Sequence, residues 1–140
     1  QGVLTAYTAA GGAVLVSGAE LGYQLAETPE DLAFLEDVLH AGYAGDDADT
    51  YVVEPVGLEG VAPTLGFYTP GHIDAAFPDL LEAVDGGELV LDYVGGAGGG
   101  AGVVYAEDHR AALLAFPLEC VDNRDDRHAL VSALFAELGL

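Results

Sequence analysis

The sequence predicts an α/β domain: a mostly parallel sheet flanked by helices, with a β-hairpin in the C-terminal half. Three observations carry that expectation. Apolar residues at helical spacing alternate with short unbroken apolar runs, the pattern of strands buried on both faces. The chain closes on an amphipathic helix whose stripe is Leu130, Val131, Leu134, Phe135 and Leu138. Finally, 140 residues, 51% of them hydrophobic, suffice for one core and hence one domain, residues 1–140.

Taken in order, Gly2 to Ala10 reads as a short helix, with Val3, Leu4 and Tyr7 at helical spacing and Gly11-Gly12 as its stop. Ala13 to Val16 is a buried strand, and Ser17-Gly18 turns the chain. In Thr28-Pro29-Glu30-Asp31 the threonine can cap, the proline suits the first helical position and the acids suit the positive end of the dipole. Leu32, Leu35, Val38 and Leu39 form that helix's stripe, His40 lies in its last turn and Gly42 follows as a stop. A loop at Gly45 to Asp49 leads to a strand at Tyr51 to Val56. Residues 57–79, which include His72, read as an irregular excursion punctuated by Pro63, Pro70 and Pro78. Leu80 to Val84 reads as one helical turn. Leu89 to Val94 and Val103 to Ala106 are strands flanking a glycine run, and Ala111 to Phe116 follows a turn at Glu107 to Arg110, so the last two strands form the hairpin. Asp125 or Asp126 caps the final helix and Gly139 ends it. An α/β chain whose first helix leads into a buried strand implies an earlier strand upstream of Gln1, so the sequence reads as a fragment of something longer.

Charge narrows the function classes. Asp and Glu number 24 against 3 arginines (Arg110, Arg124 and Arg127) and no lysine, a net charge of −21. Such a chain repels phosphate backbones and anionic membranes, which excludes a nucleic-acid binder and a membrane-surface protein. A mean hydropathy of +0.34 excludes acidic disorder, and no apolar run approaches the roughly 20 residues of a membrane span. The acids are dispersed over turns and helix faces, which suits an environment where self-repulsion is screened; at molar salt the Debye length is about 3 Å. Lysine-free, Asp-rich and Ala/Val/Gly-rich, the composition resembles that of haloarchaeal proteins. The rival is an acidic mesophilic protein that binds calcium or a basic partner. Cys120 is the single cysteine, so no internal disulfide exists and the compartment stays open.

Two stretches bear on chemistry. Gly95 to Gly102 holds six glycines in eight residues. With no Lys-Ser/Thr after it and a strand instead of a helix, it matches neither a P-loop nor a dinucleotide fingerprint and reads as a flexible hairpin connection. In Ala13 to Gly22 a buried strand runs into Gly-x-Glu-x-Gly. That spacing can form a sharp elbow presenting Glu20 at the strand's carboxyl end, with Ser17, Gly18 and Gly22 as ligand-contacting neighbours.

The stretch GGAVLVSGAELGYQL, together with FLEDVLHAGYAGDDADTYVV and AGVVYAEDHRAALLAFPLECVDNRDDRHALVSALFAELG, resembles class I glutamine amidotransferase-like domains of the divergent kind attached to secreted hydrolases, over more than half the chain. The resemblance implies a flavodoxin-like sheet and a catalytic Cys at the elbow centre, with His and Glu after a late strand. Here the elbow carries Glu20, the late loop offers Glu119 without a neighbouring His, and His128 sits in the final helix. The amidotransferase triad is therefore missing. Glu20 and Glu119, with His128, are the candidate catalytic groups for another hydrolysis, dividing acid and base roles or sharing a metal. Their bland reading is that Glu20 caps local N–H groups and Glu119 pairs with Arg124 or Arg127. Asp46, Asp47 and Asp49 are metal candidates, although DDADT lacks the spacing of a calcium loop. His40 reads as a helix-dipole partner, His109 as part of a polar turn, and Cys120 as a small buried hydrophobe.

The functional expectation is a non-catalytic accessory domain, without cofactor, of a larger secreted or cell-surface haloarchaeal hydrolase; a cytoplasmic location is the alternative. Its partners would be the parent protein's other domains. The rivals are a hydrolase using Glu20 and Glu119, and an assembly domain forming homo-oligomers.

Overall fold

One mixed, curled sheet of eight strands closes halfway into a barrel, with few helices around it. The structure, a computed structural model, describes residues 1–68, 73 and 75–140, so His72 lies outside the described residues. In chain order the elements are α1 (Gly2–Ala9), β1 (Ala13–Ser17), α2 (Leu21–Ala26), α3 (Pro29–Asp37), β2 (Ala41–Gly45), β3 (Val52–Pro55), β4 (Leu65–Gly66), β5 (Leu80–Ala83), β6 (Glu88–Tyr93), β7 (Gly100–Tyr105), β8 (Arg110–Leu114), a 3-10 turn (Leu118–Cys120) and α4 (Arg124–Glu137). The main path runs β1-β8-β7-β6-β3-β4, while β5 branches from β7 and carries β2.

This overturns the expected parallel sheet flanked by helices, and with it the flavodoxin-like architecture. Among the described residues only β1 and β8 pair in parallel; every other strand pair is antiparallel. The physical reason lies in the connections. Parallel neighbours need a crossover of about a dozen residues or more, usually a helix. From β2 to β8 no described residue is helical, and short turns join most strands. The apolar runs misled because curling also buries both faces of a strand: every residue of β7 is buried. The β7–β8 hairpin forms where the spacing predicts it, with Val103 opposite Leu113 and Tyr105 opposite Ala111.

Local signals fared better than the global one. Thr28 Oγ1 accepts from Asp31 N (3.2 Å) and Pro29 opens α3. Asn123, not Asp125 or Asp126, caps α4 by accepting from Asp125 N (2.8 Å). Leu80 to Val84 is no helical turn: Leu81 pairs with both Tyr43 and Gly100. Gly42 is no stop either but a strand residue, and the chain leaves α3 through His40 at φ +51°. The glycine run serves close approach. A Cβ at Gly100 would lie 2.5 Å from the Leu81 carbonyl oxygen, and one at Gly96 would overlap that of Ala48.

The core gathers Leu35 and Leu39, Val53, Leu65, Leu91, Val103, Leu113 and Leu114, and Leu130, Leu134 and Leu138 of α4. Phe135, expected inside, is exposed, and α1 leaves Val3, Leu4 and Tyr7 in solvent.

Candidate functional site

Because β1 and β8 run parallel, with Ser17 opposite Leu114, their carboxyl ends finish side by side. Just beyond them the chain turns through Pro117 into the 3-10 turn, where Leu118 N donates to Ser17 Oγ (3.4 Å). The strip 66–68 is pinned across this turn: Tyr68 N donates to Cys120 O (3.0 Å) and Asp122 N to Gly66 O (2.9 Å). Phe67 stacks on Phe116 with ring centroids 4.5 Å apart. From the first turns of α4, Arg127 Nη1 donates to the main-chain oxygens of Glu119 (3.1 Å) and Val121 (3.2 Å). These elements leave an open pocket of about 610 Å³ lined by Leu15, Ser17, Tyr68, Ile73, Leu118, Glu119 and Arg127, within the size range of small-molecule sites.

Of the residues the sequence singles out, Ser17 and Glu119 meet here, and Glu20 does not join them. Glu20 follows β1 as the elbow predicts and is the N-cap residue of α2, at φ −109°. The carboxylate that caps α2 belongs to Asp79. Its Oδ2 accepts from Gly22 N (2.7 Å) and Tyr23 N (3.1 Å), while Asp79 N donates to Ala19 O (2.9 Å). Asp79 is fully buried, and its Oδ1 has no hydrogen-bond partner among the described residues. Burial pushes its pKa up to about 7, with the charges of Glu20 and Asp46 adding and the two N–H bonds opposing. Gly22 packs closely beside it: a Cβ there would lie 3.1 Å from Asp79 Oδ2 and 3.2 Å from a Leu81 methyl.

The other candidates lie apart. His128 is exposed on α4 and does not line the pocket. Asp46, Asp47 and Asp49 are exposed; Asp47 Oδ1 accepts from Asp49 N (2.8 Å), a local turn. Among the described residues no three His, Cys, Asp or Glu side chains converge as a metal site requires. Cys120 is buried, and burial, with Glu119's charge, pushes its thiol pKa up, away from the reactive thiolate. Glu119 meets Arg127 through its main-chain oxygen and not through its carboxylate.

At the opposite end of β8, His40 stacks on Tyr105 with centroids 3.4 Å apart, and His109 tilts against both. His40 Nδ1 donates to Asp85 O and His109 Nε2 to Val38 O, each at 2.9 Å. The sequence reading misses two residues and the role of a third. Tyr68 lies in the irregular segment. Arg127 is named there only as a cation and a partner for Glu119, and its rarity, as one of three cations in the chain, is the signal for a place in the site. Asp79 could have been found as an acid set directly against the apolar pair Leu80-Leu81.

Among the described residues no helix is long and apolar enough to cross a membrane. No family model matches the chain, and no curated protein matches it.

Proposed function

We propose that the chain is a non-catalytic accessory module of a larger, secreted hydrolase of haloarchaeal type, holding a small ligand in the pocket beyond β1 and β8. The observation that carries the reading is the pocket's chemistry. It combines a guanidinium, a carboxylate and two hydroxyls with apolar Leu15, Ile73 and Leu118, a set suited to holding and orienting. Covalent hydrolysis needs a nucleophile in reach of a base that a third group orients. Ser17 Oγ instead accepts from a main-chain N–H, Cys120 is sealed in the core, and Glu20 belongs to the α2 junction. The secreted parent rests on the sequence resemblance alone, whose implied fold is not the one found, and the salt-rich habitat on the charge of −21.

Saturation-transfer NMR with a panel of small fragments in molar KCl tests this. Fragments should bind and should weaken on Tyr68→Ala, a substitution at an exposed side chain. The reading falls if nothing binds, or if esters, amides or glycosides are hydrolysed and Glu20→Gln or Glu119→Gln stops the reaction. The thermal midpoint should climb with KCl; a flat response removes the salt-adapted part.

A further inference from the structure

Arg127 and Glu119 line one pocket with opposite charges that are not spent on each other. Arg127 Nη1 is anchored to two main-chain oxygens, which fixes the plane of the guanidinium at the pocket wall. A guanidinium held in this way presents its remaining N–H groups as a fork for a carboxylate. Glu119 is an exposed residue lining the same pocket, and a carboxylate accepts from ammonium donors. Leu15, Ile73 and Leu118 supply an apolar wall, and the hydroxyls of Ser17 and Tyr68 complete the polar side.

The pocket's own two charges decide between ligand classes, because at molar salt the field of the whole chain is screened within about 3 Å. A bare anion would meet Glu119. A bare cation would meet Arg127. A molecule with both charges and no net charge avoids both penalties. Resting on the reading of this pocket as a ligand site, we propose that it binds a free α-amino acid with an aliphatic side chain: its carboxylate on Arg127, its ammonium on Glu119 and its side chain against Leu15, Ile73 and Leu118. Because the pocket is open and its charges are partly solvated, affinity is modest, on the order of millimolar.

Titration of the full chain in molar KCl with L-leucine, leucinamide and N-acetyl-L-leucine, followed by amide NMR shifts, tests the assignment. L-leucine should shift residues of the pocket, and both analogues should bind about tenfold more weakly. Glu119→Gln should bring L-leucine down to the level of N-acetyl-L-leucine. Arg127→Gln should do the same relative to leucinamide, with its amide spectrum reporting that the fold is kept. Should Arg127→Gln fail to fold, Glu119→Gln, at an exposed side chain, still decides. The proposal is overturned if N-acetyl-L-leucine or leucinamide binds as well as L-leucine, or if L-leucine causes no shifts. If L-leucine fails while other fragments still bind in a Tyr68-dependent way, the amino-acid assignment falls and the pocket reading stands.

Discussion

The two ends of β8 treat polar side chains in opposite ways. At its amino end, His40, Tyr105 and His109 pack ring on ring, and both imidazoles donate to main-chain oxygens. Those polar atoms are consumed inside the fold. At its carboxyl end, Ser17, Glu119 and Arg127 line a pocket, and nearby Asp79 holds the β1–α2 junction with one oxygen satisfied and the other without a partner among the described residues. The same inventory of residue types thus makes structure at one end and leaves chemistry open to a ligand at the other. What separates them is the partner available. Main-chain carbonyls of the α3 C-cap (Val38) and of the turn between β5 and β6 (Asp85) take the imidazole N–H groups, whereas beyond the parallel pair Ser17, Glu119 and Arg127 line an open pocket.

The largest effect should come from breaking the carboxyl end at its anchor. Asp79→Ala leaves two N–H groups of α2 without their acceptor and should cost about 3 kcal/mol by denaturant unfolding. Asp79→Asn keeps an acceptor and sharpens the test through pH. An acid whose folded pKa is about 7, above its unfolded value near 4, takes up a proton on folding between those limits. Its contribution therefore favours folding at low pH, declines as pH rises from about 4 to about 7, and is constant above that. The difference in stability between the native chain and Asp79→Asn should follow that window. A pH-independent difference would mean that Asp79 is not the buried acid described.

At the amino end, His109→Ala removes one hydrogen bond and two ring contacts and should cost about 1 kcal/mol, with ligand binding at the pocket unchanged. Altered binding would show that the ends are coupled. Smallest in stability is Glu119→Gln at the exposed pocket rim, expected within about 0.5 kcal/mol by thermal unfolding. A large stability loss there would move Glu119 from the ligand side of the comparison to the structural side.

Local chemistry was legible and long-range pairing was not. Thr28-Pro29 marks the start of α3, and the polar turn Glu107 to Arg110 between two apolar runs marks the β7–β8 hairpin, because caps and turns are decided within a few residues. Gly42 and Gly45 read as punctuation, yet they sit in β2 because Glu82 and Leu80 of the facing strand crowd them. A cross-strand neighbour some 40 residues away leaves no mark on the local pattern. The same holds for the site. Ser17 and Glu119 were visible, but their companion Tyr68 is placed by a bond to Cys120. The role assigned to Glu20 as a local cap falls to Asp79, which comes 57 residues after the Gly22 it holds.

The central claim is that ligand contact is confined to the carboxyl end of β1 and β8. A residue-by-residue map of amide shifts on adding L-leucine in molar KCl tests it most directly. Shifts concentrated at Leu15, Ser17, Leu118, Glu119 and Arg127, with Tyr105 and His109 still, are the predicted result. Shifts centred on the His40–Tyr105–His109 stack, or scattered over both ends, would contradict it.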